Sequence, residues 1–305
     1  MKFSNLIEVT KYFEVKQNCL DYLTNSRWGG HVTCAFCNHD KVYELKGVNK
    51  RFKCAKCRKQ FSAIKGTIFE NSSIPLQKWF IAVYIISSHK KGVSSVQLAD
   101  DLGITQKTAW FMGQRIRFAL KVKSYKKLEG VIQADETFVG GKNKNRHADK
   151  KVTESQGRSV KDKTPVLGII AAGGKLHTTV IPDTKAKTIK HIITELFREG
   201  SIVVTDEWLG YAGTAKRFSY IVINHNQGEY VRGAFHTNTI EGFWSLLKRG
   251  IYGIYHQVSA KHLHRYCDEF SFRYNSWKIA NNLRFDFSLK SANCRLTDNQ
   301  LTGKE

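Results

Sequence analysis

The 305-residue sequence contains three prolines and two methionines. So little proline excludes a proline-rich, low-complexity chain, and 41% of AVILMFWYC residues supplies enough apolar material to fold. Acidic residues are also few. Against 26 Asp plus Glu stand 49 Lys plus Arg, a formal surplus of +23 that makes a polyanion the expected partner. Long apolar runs are missing: the best, Phe80 to Ile86, is flanked by Lys78 and His89 and falls well short of the roughly 18 residues a membrane span needs. No membrane partner is expected. The segment Met1 to Glu8 has neither the apolar stretch nor the small-residue cleavage site of a secretory leader, so the expected setting is reducing, cytoplasmic and nucleoid-associated. A chain of this length exceeds one ordinary hydrophobic core, which predicts two or three domains.

In a reducing compartment the seven cysteines need an explanation other than disulfides. Four of them stand as Cys34-x2-Cys37 and Cys54-x2-Cys57, with 16 residues between the pairs. A two-residue gap lets two sulfurs of one tight turn reach the same tetrahedral centre, and two such turns close a four-thiolate site with no position left open for catalysis. A structural Zn2+ is therefore expected, supplying folding free energy that a small amino-terminal module cannot obtain from packing. Lys41, Lys46, Lys50, Arg51, Lys53, Lys56, Arg58 and Lys59 give that module a basic surface. Cys19, Cys267 and Cys294 stand apart from any second ligand group and read as small buried hydrophobes.

After the ribbon, Trp79, Phe80, Val83 and Ile86 recur at near-helical spacing, which predicts a core helix over Gln77 to Lys90. Ser94 to Arg117 then reads as a short helix, a Gly103 turn and a second helix starting near Thr105, the grammar of a helix-turn-helix. That second helix is expected to carry Gln106, Lys107, Gln114, Arg115 and Arg117 toward a DNA groove.

From about Gly130 the pattern becomes strand-like. Val131–Val139, Val166–Ala172 and Leu176–Ile181 suggest a three-stranded meander, followed by a helix over Ile189 to Arg198 and a strand Ile202 to Asp206. This is an α/β (α+β) domain. Asp135 lies inside one apolar strand and Asp206 ends another, and a buried carboxylate is costly unless something such as a divalent cation neutralises it. A third acid, Glu241, opens an amphipathic helix whose apolar stripe is Ile240, Phe243, Trp244 and Leu247. Lys248 stands almost two turns further on and points the same way. Asn238-x-x-Glu241 also fits a capping box, so cap and catalyst are both open for Glu241 on spacing alone.

The blocks Ala134-Asp-Glu-Thr-Phe-Val-Gly-Gly141, Thr205-Asp-Glu-Trp-Leu-Gly-Tyr211 and His236 to Gly253, together with the paired CxxC, resemble the IS1595-type (ISXO2-like) transposases over nearly the whole chain. The resemblance implies a zinc ribbon and a helix-turn-helix segment followed by a DDE catalytic domain of ribonuclease H-like fold. It further implies that Asp135, Asp206 and Glu241 hold two Mg2+ (or Mn2+) ions per active site, with Lys248 near the DNA and Asn238 the alternative occupant of the third place. Two such ions serve the attacking and leaving oxygens of a phosphodiester together. The implied reaction is DNA cleavage at the ends of an insertion sequence, then attack of the freed 3′-OH on target DNA. The implied partners are double-stranded DNA, both terminal inverted repeats and target, and a second copy in a homodimer or higher oligomer. Glu136 and Glu207 neighbour the first two acids but point to the opposite strand face.

The expected boundaries are a zinc-ribbon segment over 1–61, a helical DNA-binding segment over 62–127, the catalytic domain over 128–293 and a polar tail over 294–305. The basic connection Gly140 to Thr164 suits backbone contact and solvated disorder equally. The stripe Leu263, Tyr266, Phe270, Tyr274 and Trp277 reads as core or as a protein–protein face. One enzymatic rival takes His262, His264 and Tyr266 as a metal site with a nucleophilic tyrosine, but a helix sends residues two apart in directions that differ by about 200°. Other rivals are a catalytically inactive DNA-binding regulator and a ribonuclease H-like nuclease or resolvase.

Overall fold

The computed structural model describes residues 3–47, 49–121, 127–141, 147–153, 159–171, 173–206 and 217–303. The chain divides into two compact units, Met1–Lys121 joined by Ser276–Glu305, and Val122–Asn275. In the first unit α1 (Leu6–Phe13) and α2 (Lys16–Trp28) precede a small antiparallel sheet of β1 (Val42–Leu45), β2 (Arg51–Cys54) and β3 (Gln60–Ser62). Its core is only Cys34, Phe52, Cys54 and Phe61, edged by Trp28, Val32 and Val42. Three helices follow: α3 (Leu76–Ser88), α4 (Ser95–Leu102) and α5 (Gln106–Leu120). The Ser94 and Thr105 side chains cap α4 and α5 by accepting from the backbone N–H groups of Gln97 and Thr108. Gly103 ends α4 at φ 57°, a left-handed conformation that costs glycine nothing, and the turn brings α5 against α4. The helix-turn-helix order expected over 94–117 is present.

The second unit is built on a five-stranded sheet. β4 (Val131–Val139) pairs antiparallel with β5 (Thr164–Ala171), which pairs antiparallel with β6 (Leu176–Val180). On its other edge β4 runs parallel to β7 (Ile202–Asp206), and β7 runs parallel to β8 (Ser219–Ile223). α6 (Ala186–Leu196) covers one face with Ile189 and Ile193 against Ile132, Ala134, Ile169 and Val203. A short hairpin, β9 (Val231–Arg232) with β10 (Phe235–His236), leads into α7 (Asn238–Gly250), a π-helical turn at Ile251–Tyr255 and α8 (Ala260–Asn275). These cover the other face: Ile240, Phe243, Trp244 and Leu247 of α7 and Leu263 and Phe270 of α8 pack on Val139, Val166 and Ile170. The stripe predicted for α7 is the face it buries. An antiparallel meander continued by two parallel strands, with helices on both faces, is the ribonuclease H-like arrangement.

α9 (Asn281–Ser291) and α10 (Asp298–Thr302) complete the first unit, which corrects two expected boundaries. Residues 276–293 do not continue the catalytic domain, and 294–305 is more than a polar tail. The reason is packing. Phe285 is fully buried, with its ring against Phe3, Phe13 and Phe80, and Leu289, Leu296 and Leu301 are buried as well. The aromatic stripe on α8 is core through Leu263, Tyr266 and Phe270, whereas Trp277 lies beyond that helix and is exposed. His262 and His264 share one helix with the buried Tyr266, so they diverge. Of the basic connection after Gly140, Lys142, Lys144, Arg146 and Arg158 lie outside the described residues, as does Glu207.

Candidate active site

Side chains alternate along a strand, so one buried residue fixes the direction of its neighbours. Ile132, Ala134 and Val203 belong to the core under α6, which turns Gln133, Asp135, Val204 and Asp206 toward the face covered by α7. Gln133 lies in register with Val204 on the parallel neighbour, and Asp135 and Asp206 stand two residues further along their strands on that same face. Gln133 secures the start of α7: its Oε1 accepts from the Ile240 N–H at 3.3 Å and its Nε2 donates to Thr239 Oγ1 at 3.3 Å.

Asp135 is half-buried beneath the helix. Its Oδ1 accepts from the Glu136 N–H at 2.8 Å and its Oδ2 from the Trp244 indole N–H at 2.9 Å. Burial first, then the charge of Asp206, and more weakly that of Glu241, push the Asp135 carboxyl up to about 6, against the two hydrogen bonds that favour its charged form. The three acids thus share one electrostatic neighbourhood. Glu241 is the most exposed of them. It sits in the first turn of α7, where its Oε1 accepts from Thr237 Oγ1 at 2.7 Å and lies 3.5 Å from His225 Nε2. The capping-box reading does not hold, because Thr237 and not Asn238 occupies the N-cap position, without a side-chain cap, and the Glu241 N–H donates to the Thr237 carbonyl at 3.2 Å. Asn238 is exposed, and Lys248 is half-buried two turns along α7.

The donor set suits a hard divalent cation: carboxylate oxygens only, with mutual repulsion that such an ion would relieve. The carboxylates are not drawn together as tightly as the cysteines. Among the described residues only Cys34, Cys37, Cys54 and Cys57 bring one ligand atom each within 4.8 Å of one another. Their sulfurs stand 3.6 Å (Cys34 to Cys57) and 3.7 Å (Cys37 to Cys54) apart. Four thiolates at about 2.3 Å from a tetrahedral zinc would be separated by about 3.8 Å, so the cluster fits a structural Zn2+. Backbone N–H groups of Phe36 and Cys57 donate to the sulfurs of Cys34 and Cys54, each at 3.4 Å, and at Cys54 such hydrogen bonds favour the thiolate.

Residues 16–60 match the family described as a transposase zinc-ribbon domain, and residues 127–275 match that described as an ISXO2-like transposase domain, of the IS1595 type. An uncharacterized protein of the transposable element ISH50 from Halobacterium salinarum is 31% identical over 252 residues, covering 78% of this chain and 84% of the relative. The chain belongs to the IS1595-type, ISXO2-like transposase family. A transposase-like protein from Haemophilus influenzae is 29% identical over 106 residues, or 34% of this chain and 85% of that one. Among solved structures, the Mos1 transposase paired-end complex with left transposon end is 12% identical, covering 67% of this chain and 78% of that chain. Its TM-score is 0.29.

The helix-turn-helix of this transposase family member departs from expectation at three positions. Gln106 and Lys107, at the start of α5, are exposed. Gln114 and Arg117 are buried, and Arg115 reaches inward to the carbonyls of Ile68 and Glu70 and to Asp298 at 3.3–3.5 Å. These three do not face a groove. Beyond its first turn α5 is a core helix, with Ala109, Met112, Ile116 and Leu120 buried and with α3 and α9 packed on it. Around the acids, reading the residues missed Gln133, His225, Thr237 and Trp244. Trp244 carried a signal only for its apolar face, since nothing in the pattern marks where the indole N–H points.

Proposed function

We propose that this chain is a DNA transposase that hydrolyses phosphodiesters at the ends of an insertion sequence and then joins the freed 3′-OH to target DNA. The observation that carries this reading is Asp135, turned to the α7 face of the ribonuclease H-like sheet and pushed up to about 6 by burial and by Asp206 and Glu241. So much negative charge set under a helix favours a dication over an empty core. Asp135, Asp206 and Glu241 would hold the divalent metals, two per site. Ions so held would supply Lewis-acid stabilisation of the attacking and leaving oxygens. Lys248 would offset phosphate charge from two turns along the helix of Glu241.

Substrate DNA would be held by the basic ribbon and by the exposed first turn of α5, with Gln106 and Lys107 at base edges or phosphates. The surplus of +23 supports a polyanionic partner, which makes the nucleoid the working location. Two element ends handled together ask for at least a dimer on DNA. The test is a strand-transfer assay on oligonucleotides bearing the flanking inverted repeats, with Mg2+ or with EDTA. Wild type is expected to cut and join only with Mg2+, and Asp206→Asn to bind the same oligonucleotides while losing cleavage by at least a thousandfold (roughly 4 kcal/mol of barrier). An Asp206→Asn protein with unchanged function would make the chain a DNA-binding regulator. Cleavage without joining of supplied 3′-OH ends would make it a nuclease.

A further inference from the structure

We propose that Trp244 is a positioning residue for Asp135, and that Gly168 is the place in the fold that admits it. The inference rests on the metal-site reading above and adds to it residues outside the acidic set. Trp244 lies in the second turn of α7, three residues after Glu241, and is buried. An indole N–H only donates, and a buried one must find an acceptor. Here the acceptor is Oδ2 of Asp135 at 2.9 Å.

The geometry leaves the carboxylate usable. A carboxylate has about four lone-pair sites. Glu136 N–H takes one on Oδ1 and Trp244 one on Oδ2, so each oxygen keeps a second site for a cation while the plane of the group is fixed from both sides. The same bond ties the helix carrying Glu241 to the strand carrying Asp135, and Gln133 makes a second tie at the start of that helix.

Opposite Asp135 on the antiparallel neighbour stands Gly168. A Cβ there would come within 2.6 Å of Trp244 Cη2 and 2.7 Å of Ile240 Cδ1, and closer still to Trp244 Cζ2. Such contacts do not occur, so any side chain at 168 displaces the indole. Gly168 is thus required for close approach of the ring, in a strand whose flanking residues Leu167 and Ile169 are fully buried. Groups that orient metal ligands commonly change metal affinity by 10–100-fold when removed.

Mn2+ affinity of the zinc-loaded, full-length protein, followed by electron paramagnetic resonance, tests the proposal, together with the indole N–H resonances of 15N-tryptophan-labelled protein. Trp244→Phe keeps most of the apolar contact and removes the donor; Gly168→Ala keeps the donor and displaces it. Both are expected to weaken Mn2+ binding by about 10-fold or more. One indole resonance, absent in Trp244→Phe, should shift in Asp135→Asn and in Gly168→Ala and broaden when Mn2+ is added. If Asp135→Asn abolishes Mn2+ binding while Trp244→Phe and Gly168→Ala bind as tightly as wild type, the positioning role is overturned and the metal site stands. If Asp135→Asn also binds Mn2+ unchanged, the metal-site reading itself fails. Should Trp244→Phe not fold, the resonance in the wild type decides: no shift between wild type and Asp135→Asn overturns the proposal.

Discussion

At the scale of single residues, Asp135 is held in a state that its own fold opposes. Burial raises its pKa to about 6, with Asp206 and Glu241 adding to the rise. The folded chain therefore favours the protonated carboxyl more than the unfolded chain does. The associated stability is intact below about pH 4, where the carboxyl is protonated folded or unfolded, and is lost as pH rises through 6. In protein freed of Mg2+ but not of zinc, Asp135→Asn should be more stable than wild type at pH 7.5, by up to about 3 kcal/mol. Below about pH 4 the two should unfold alike. Denaturant titrations at both pH values measure the difference, and equal stability at pH 7.5 would mean that the carboxylate is better solvated than its surroundings imply. Added Mg2+ should reverse the order at pH 7.5, because it stabilises only the protein that keeps the acid.

At the scale of elements, α5 divides its work along its length. Its first turn, with Gln106 and Lys107, is open to solvent, while Gln114 and Arg117 sit inside the first unit. Lys107→Ala is expected to leave the melting temperature unchanged, to weaken DNA binding across sequences and to reduce the salt slope by about 1. Arg117→Ala should instead destabilise the unit by about 2 kcal/mol or more, since it removes a side chain only 4% exposed and leaves a cavity in the packed interior. Salt-dependent binding isotherms and thermal melts separate the two. A Lys107→Ala protein with an unaltered salt slope would remove the first turn from the interface.

The contrast shows what the sequence could and could not reveal. Periodicity found α7 and its buried face, and the strand runs found β4 to β7, because both signals come from apolar residues alone. The paired CxxC found the ribbon because ligand spacing is local. The polar residues of α5 misled, since a glutamine or arginine that a core encloses looks in a sequence like one that DNA would meet. Trp244 was legible as core and silent as a donor. In the ribbon the small sheet rests on two buried phenylalanines and the cysteines, so chelation or Cys54→Ser should unfold it with loss of on the order of 10 kcal/mol of apparent metal-binding free energy. Far-UV circular dichroism during zinc titration would follow this, and a chelated protein with undiminished signal would show that the sheet stands on packing.

At the scale of the whole molecule, the first unit is assembled from both ends of the chain, with Phe285 of α9 set among Phe3, Phe13 and Phe80. Phe285→Ala should destabilise that unit by about 3–5 kcal/mol. A chain ending at Asn275 should lose the cooperative unfolding transition of residues 3–121 while keeping that of the catalytic unit. Calorimetry on the two proteins checks this, and an unchanged first transition in the shortened chain would make α9 an accessory. Because Phe285 and Leu289 follow the second unit in the chain, a ribosome working at about 5–20 residues per second spends some 8–35 s between Lys121 and Leu289 before the first unit can close. The ribonuclease H-like unit, Val122–Asn275, is made whole before then, so during synthesis the sheet that carries Asp135 and Asp206 is complete while the helical unit still waits for α9.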